Sequence, residues 1–384
     1  MAPETSPETS RVHPIVLVAG GTGGHVFPAE ALAGELRRRG YPLALITDRR
    51  GTTWSGALGD VDTHAIRAGR ISGVSMFRKA IGVAELALGR IQARKLLARL
   101  RPAVVVGFGG YTSVPAMLAA RSLTVPTVVH EQNALLGRAN RLLAPRVTAI
   151  ATSFPEVARL RPRDARKAVL TGNPVREAVR NLRDLPYAPP EGDGPIHLLI
   201  TGGSQGASVF ARVVPETLAR LPVELRTRLR VSQQARPEDL EAVRKAYNAT
   251  DLWYEVESFF ADLPERLGRA HLVICRAGAS TCAELTCAGR PGILIPYPSA
   301  TDDHQTANAQ ALVAAGAAHL MPERQFTPEG LDARLRQLLA RPEQLSALAA
   351  AAHAIGTRDA AGNLAILVVN LVPPHLRGGG KEAA

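Results

Sequence analysis

The residues best suited to chemistry gather at three glycine-rich turns: Gly20–Pro28 (GGTGGHVFP), Gly107–Pro115 (GFGGYTSVP) and Gly202–Gly206 (GGSQG). Such a turn between a strand and a helix brings backbone N–H groups and the positive helix end close to an anion, commonly a phosphate. One alone would be weak evidence, because tight strand-to-helix turns use glycine for geometry in any case. His25 follows directly on the first turn, with a side chain whose ordinary pKa suits proton transfer near neutral pH. A dinucleotide fingerprint fails on detail, since counting G-x-G-x-x-G from Gly21 puts Val26 at the last glycine. Asp48 stands where a ribose-binding acid would, which keeps a nicotinamide nucleotide open, but the second half has Ser232, Gln233 and Gln234 at the matching place. No G-x-x-x-x-G-K-[ST] occurs, which argues against a P-loop hydrolase.

These turns need elements to hold them. Ile15–His25 resembles Ile196–Gly206: an apolar strand, then a glycine-rich turn, and in each case a helical pattern follows, over Ala29–Arg39 and Ala207–Arg220. Further apolar runs at Leu43–Ile46, Val104–Val106, Thr127–Val129, Leu229–Val231, Leu272–Cys275 and Ile293–Ile295 read as buried parallel strands alternating with helices. The chain therefore reads as two similar α/β halves with doubly wound sheets. Asn181–Pro195, dense in Pro and Gly, is the expected linker, and Ala360–Leu371 is expected to be a last, mostly apolar helix that must pack on something. The expected division is 1–11 a disordered tail, 12–180 an N-terminal domain, 181–195 the linker, 196–359 a C-terminal domain, 360–375 a helix packing back on the N-terminal domain, and 376–384 a disordered tail.

Composition agrees with this and narrows the partners. A chain of 384 residues is too long for one core and comfortable for two. At 46% hydrophobic and 21% charged it is an ordinary folded protein. The formal net charge of +12 suggests nucleic acid, an anionic membrane surface or phosphorylated small molecules. Aromatics at 4% leave few stacking platforms, which counts against nucleic acid as a partner. Cys275, Cys282 and Cys287 are spaced by seven and five, which fits no CxxC metal pair, and an odd count argues against a secreted disulfide framework, so a reducing cytoplasm is the simplest reading. The first eleven residues lack an apolar core and are not expected to be a signal peptide. Pro102–Ala120 is uncharged but rich in Gly, Ser and Thr, and a buried strand with its loop explains it better than a spanning helix.

Seven motifs in order, Gly20–Pro28, Gly107–Pro115, His130–Asn133 (HEQN), Gly172–Arg176 (GNPVR), Gly202–Ala207 (GGSQGA), Ala277–Glu284 (AGASTCAE) and Asp303–Asn308 (DHQTAN), together resemble the MurG family of peptidoglycan glycosyltransferases. The resemblance implies a GT-B fold, in which two Rossmann-like doubly wound domains face a central cleft. It implies acceptor binding on the N-terminal domain and UDP-N-acetylglucosamine (UDP-GlcNAc) mainly on the C-terminal one. The implied reaction is inverting: the 4-hydroxyl of undecaprenyl-diphosphate-linked N-acetylmuramyl-pentapeptide displaces UDP and a β-1,4 bond forms, at the cytoplasmic face of the inner membrane.

Such a displacement needs the incoming hydroxyl deprotonated and the leaving diphosphate stabilised. His25 is the leading candidate for general base or acceptor contact, and Glu131 competes with it. Ser204 and Arg176 match residues that contact the donor; a hydroxyl beside helix-end amides and a guanidinium fork both suit a diphosphate. Thr22, Gly23, Gly24 and Asn133 correspond to further donor contacts. Glu284, expected in the first turn of a helix, matches the family's ribose-binding glutamate, with the backbone of Ala279, Ser280, Thr281, Cys282 and Ala283 lining the same pocket; the bland alternative is a carboxylate complementing a helix N-terminus. Phe260 falls where the family reads uracil through main-chain groups. Gln305 and Asn308 match residues that bind the hexose hydroxyls, while His304 replaces a second Gln of some members. The adjacent Asp302 and Asp303 are not a D-x-D pair, and with the diphosphate served by a helix end and Arg176 no metal and no cofactor is expected. Ile66–Leu100 mixes cations, among them Arg67, Arg70, Arg78, Lys79, Arg90, Arg94, Lys95 and Arg99, with apolar residues such as Ile71, Val74, Met76, Phe77, Ile81, Leu86 and Leu88. It reads either as an ordinary amphipathic helix pair or as a surface for anionic lipid, and the resemblance favours the membrane.

Overall fold

The computed structural model describes residues 13–20, 23–48, 56–69, 76–203 and 206–376. Both tails assigned from sequence fall wholly or almost wholly beyond these residues. The chain forms two compact units, one comprising the chain up to Glu131, Leu136–Pro174 and the chain from Ala361 on, the other Gln132–Leu135 and Val175–Ala360.

The first unit is built on a seven-stranded sheet of β1 (Ile15–Val18), β2 (Leu43–Thr47), β3 (Asp62–Ala65), β4 (Val104–Gly107), β5 (Thr127–Glu131), β6 (Ala149–Thr152) and β7 (Ala168–Leu170), in the order β3-β2-β1-β4-β5-β6-β7. The second has six: β8 (Ile196–Thr201), β9 (Leu229–Gln234), β10 (Trp253–Glu257), β11 (Leu272–Cys275), β12 (Gly292–Leu294) and β13 (Ala318–Leu320), in the order β10-β9-β8-β11-β12-β13. All pairings are parallel. Both are the doubly wound Rossmann order, whose direction reverses between β1 and β4 and again between β8 and β11, and ligands of such sheets bind beyond the strand ends at that reversal. Gly20, then Gly109 and Gly110, then Gly202 and Gly203 follow β1, β4 and β8 at those ends.

The continuous apolar runs follow from burial on both faces. Ile15 and Leu17 of β1 join one buried cluster with Val104 and Val106, while Val16 and Val18 join another with Val105 and Val129. The first cluster is completed by Leu364, Ala365 and Val368 of the Ala360–Asn370 helix, so the apolar side of that helix is spent within the first unit. The second takes Ala93 and Leu97 of the Met76–Leu100 helix. That helix is a single 25-residue element, where the sequence also allowed a helix pair.

The change of unit comes at Pro174 and Val175, so the stretch 181–195 read as a linker packs within the second unit. Arg290, only 2% exposed, donates to the carbonyls of Leu185, Gly268 and Ala288, and Tyr187 donates its hydroxyl to His271 O. Burying an arginine demands this many partners, and they fasten the proline-rich stretch in place.

Candidate functional site

In the first unit the helix after the first glycine turn starts at Gly23 and runs to Arg38, six residues ahead of the expected start. It passes through Pro28, which has no N–H for the carbonyl of Gly24. His25 is thus on the first helical turn, half-buried, and not in a loop. Its ring lies on the second glycine turn. Gly109 and Gly110 have φ of 91° and 71°, and a β-carbon on Gly109 would stand 3.2 Å from Cε1 of His25. The second turn is therefore glycine for two reasons: backbone that L side chains rarely adopt, and room for the imidazole.

Glu131 ends β5 at 1% exposure, and its Oε2 accepts from the Gly137 amide and from Asn140 Nδ2, both at 2.8 Å. This carboxylate ties the chain after β5 to the Arg138–Leu143 helix, and it is more enclosed than the half-buried His25. The neighbouring His130 is buried, with its Nε2 at 3.1 Å from Gly172 O. Burial holds its pKa down at about 4, with His25 adding to the shift against the Gly172 bond, so at neutral pH the ring is uncharged. Asp48 is also inward: its carboxylate, 5% exposed, accepts from Thr112 Oγ1 at 3.1 Å, which does not suit a ribose-binding acid. Thr22 and Ser204 lie outside the described residues; Gly23 and Gly24 open the first helix.

In the second unit the Ala279–Ala288 helix follows β11. Its N-cap is Gly278, with no side-chain cap and no acid in the first turn. Ser280 Oγ is buried there with no hydrogen-bond partner among the described residues. Glu284 is the sixth residue of the helix, one turn deeper than the sequence reading placed it, which removes the reading as a complement of the helix terminus. Instead it meets Arg176, which donates to Glu284 Oε1 from Nη2 at 3.0 Å and from Nε at 3.2 Å. Burial pushes the Glu284 carboxyl up, and Arg176 pulls against it. Cys282 on the same helix is buried and its thiol is pushed up to about 12, so its side chain is inert packing. Ala279, Ser280, Thr281 and Ala283 are partly exposed along the same two turns.

Phe260 is 4% exposed beneath Arg266, whose Cζ lies 4.1 Å from the ring centroid, so its side chain packs and only its main chain is offered. Gln305 accepts from the Tyr297 amide at 2.9 Å, and His304 Nδ1 lies 2.8 Å from Thr301 O. Asn308 is fully buried: its Oδ1 accepts from the Ala134 amide, and its Nδ2 donates to Asn133 Oδ1 and to Ala277 O. Both of its side-chain polar atoms are engaged within the protein, and through Nδ2 it orients Asn133.

Sequence reasoning missed Arg276. It is 7% exposed, pairs with Glu323 at 2.6 Å, and donates to the carbonyls of Ile295 and Pro296, which sets the position of Tyr297 and through it Gln305. The available signal was a charge ending an otherwise apolar strand, which asks for a buried partner. Among the described residues no three His, Cys, Asp or Glu side chains converge as metal ligands.

Comparison with known proteins follows the two sheets. Residues 15–152 match the N-terminal domain of glycosyltransferase family 28, and residues 197–364 its C-terminal domain. The UDP-N-acetylglucosamine--N-acetylmuramyl-(pentapeptide) pyrophosphoryl-undecaprenol N-acetylglucosamine transferase of Paramagnetospirillum magneticum is 58% identical over 94% of the chain and 97% of the relative. The protein of the same name from Rhodospirillum centenum is 56% identical over 93% and 94%. The crystal structure of Acinetobacter baumannii MurG superposes with a TM-score of 0.74 at 30% identity, covering 93% of this chain and 99% of that one.

Proposed function

The chain belongs to glycosyltransferase family 28 and within it to the MurG proteins, and on that footing we propose how its residues divide the work. It transfers N-acetylglucosamine from UDP-GlcNAc to lipid-linked N-acetylmuramyl-pentapeptide, converting lipid I to lipid II in peptidoglycan synthesis. The observation that carries the residue assignment is the Arg176–Glu284 pair beside the open Ala279–Ala288 helix start, with the buried Ser280 hydroxyl unpartnered there. A nucleoside diphosphate answers both halves of this arrangement. Its phosphates take Arg176, the helix-end amides and Ser204, while its ribose hydroxyls take the carboxylate that Arg176 releases. Phe260 serves uracil through its main chain, Gln305 serves the hexose, and Thr22, Gly23, Gly24 and Asn133 add donor contacts, Asn133 under the control of Asn308.

In the reaction, His25 accepts the proton of the acceptor 4-hydroxyl as that oxygen bonds to the anomeric carbon. The bond from that carbon to the diphosphate breaks with its electron pair, UDP leaves, and the configuration inverts. The cationic donors offset the charge that develops on the leaving group, which is the work a metal performs elsewhere.

We place the enzyme on the cytoplasmic side of the inner membrane as a peripheral protein. No helix among the described residues is long and apolar enough to cross a membrane. The Met76–Leu100 helix buries Gly82, Gly89, Ala93 and Leu97 on one side, and a β-carbon on Gly89 would fall 2.0 Å from Arg67 O, so the helix backbone is pressed onto the unit. The opposite side carries Ile81, Leu88 and Ile91, exposed by 45%, 45% and 55%. An apolar stripe with cations on the same helix is the pattern of an interfacial surface. The test is to incubate purified protein with labelled UDP-GlcNAc and a lipid-linked muramyl-pentapeptide analogue, without added metal. Sugar transfer with UDP release is expected; epimerisation of the donor, or binding without turnover, would sink the assignment.

A further inference from the structure

The second sheet presents a row of side chains at the end opposite its glycine turn. Arg230 pairs in register with Trp253 on one side and His197 on the other, and the His271 amide donates to His197 O at 2.9 Å. Register partners in a parallel sheet point to the same face, so Trp253, Arg230, His197 and His271 stand side by side across four strand starts. That face is the one away from the cluster of Ile196, Leu198, Leu229 and Val231. One pleat further along it, Leu199 and Val273 are buried, and Arg266 of the Leu263–Arg269 helix donates to Ser232 Oγ at 2.9 Å and pairs with Glu255. The helix has only seven residues, and its cover stops short of the first row. Trp253 is 48% exposed there, and Arg230, His197 and His271 are half-buried.

The exposed Arg269, at the end of that helix, adds a further cation. Burial, then Arg269 and Arg230, hold the His197 pKa down; burial, then His197 and Arg290, bring that of His271 to about 4. Every charge acting on the two rings is therefore cationic. The acids flanking Trp253 are engaged elsewhere, Asp251 with Arg226 and Glu255 with Arg266. Among the described residues neither Arg230 nor Arg269 meets a carboxylate, and Arg230 donates to the carbonyls of Thr227 and Leu229. His271 Nδ1 accepts from the His197 amide at 3.0 Å, which puts the proton of the neutral ring on Nε2 as one more donor.

Cations and a donor in a row, with an indole at one end, suit an anion that is extended and partly apolar. At about 4.8 Å per strand the row spans about 14 Å, too far for one small anion and matched by four or five residues of extended chain. Single-stranded nucleic acid stacks successive bases on aromatic rings, whereas here one indole stands at the end of the row. We propose that this row is a docking site for an acidic, extended segment of a partner protein, whose carboxylates meet Arg230, Arg269 and His271 and whose apolar residue covers Trp253. The row lies at the strand ends away from the glycine turn, so the proposal is separate from the transferase site and does not rest on its assignment.

The test is fluorescence anisotropy of a labelled peptide of Glu-Glu-Leu repeats, about ten residues long so that it overruns the row, titrated with the full chain at low ionic strength. Binding in the micromolar-to-millimolar range is expected, and it is lost when glutamine replaces every glutamate of the peptide. R230Q/R269Q weakens it at least about fivefold and W253A about threefold or more. The control R212Q/R334Q removes the same charge from helices on the opposite face of the sheet and changes binding by less than about twofold. No saturable binding up to about 0.5 mM protein, or equal losses in the two double variants, overturns the site. Tighter binding of a labelled oligothymidine of similar length, itself weakened by R230Q/R269Q, assigns the row to nucleic acid and overturns the peptide. Wild-type affinity in W253A removes the apolar anchor. UDP affinity and transfer to a soluble acceptor analogue are expected to stay at wild-type values in every variant, which also shows that each is folded; a fall in transfer alone would place the row in the transferase machinery. R269Q, at an exposed residue with no partner among the described residues, replaces the double variant if that one does not fold. Peptide binding is read without turnover, so its failure and a failure of the transferase assignment are distinct results.

Discussion

The two units route the same crossover differently. Between β3 and β4 the first unit places the 25-residue Met76–Leu100 helix, and between β10 and β11 the second places the seven-residue Leu263–Arg269 helix. Both sheets have the same strand order up to that point, so closing the fold needs only the short version. The additional turns carry apolar side chains to the outside, which costs solubility and is explained by a surface to be covered. A second contrast lies at the helix after the central strand of each sheet. In the first unit the helix Gly110–Ser122 begins under the imidazole of His25; in the second, Ala279–Ala288 begins open, with Arg176 and Glu284 beside it. On the proposed assignment, one half presents a proton carrier and a lipid-facing helix, the other a charged cradle for a nucleotide. The proposed assignment divides a duplicated architecture between acceptor and donor.

Variants that break this contrast can be ordered by expected effect. Replacing His25 by Ala removes the proposed base and is expected to lower kcat by about 10²–10⁴, read in the transfer assay with saturating donor. Arg176→Ala is expected to lower kcat/KM for UDP-GlcNAc by about 10²–10³, because the proposed phosphate donor is lost while Glu284 stays partly buried without its counter-ion. The stripe variant I81S/L88S/I91S weakens vesicle binding roughly a hundredfold, at about 1 kcal/mol or more for each apolar side chain withdrawn from lipid, with kcat on a soluble acceptor analogue unchanged. The smallest effect concerns pH. His130 has its pKa lowered from 6.5 to about 4 in the folded protein, so the unfolded chain takes up the proton first as pH falls. The stability that its neutral form provides is whole above about pH 6.5 and is lost progressively down to about pH 4. Urea unfolding at pH 7.5 and pH 5 should differ by about 2 kcal/mol from this residue, and His130→Gln should remove that part of the slope.

How much of this was legible in the sequence depended on burial and on distance along the chain. Strands β1, β4, β8 and β11 are covered on both faces, and their apolar runs announced them. Strand β3, with sequence DTHA and partial exposure, gave no such run; the edge strand β7 (AVL) is apolar but only three residues long and partly exposed, and β13 (AHL) is interrupted by His319. The helix through Pro28 was hidden because proline ordinarily marks a first turn. The site motifs were readable one by one, but their pairings were not: Arg176 meets Glu284 across 108 positions and Asn308 meets Asn133 across 175. No local pattern encodes such a contact. The partners of Glu131 and Asn308 were hidden for the same reason, since only the folded chain shows Asn140 and the Gly137 amide engaging one, and Ala134, Asn133 and Ala277 engaging the other.

The division of labour is tested most directly by equilibrium titration of UDP into the wild-type protein, His25→Ala and Glu284→Ala. The account predicts that His25→Ala binds UDP with wild-type affinity and that Glu284→Ala binds it at least about tenfold more weakly, the loss of one charge-assisted contact. Loss of UDP binding in His25→Ala with retention in Glu284→Ala would contradict it.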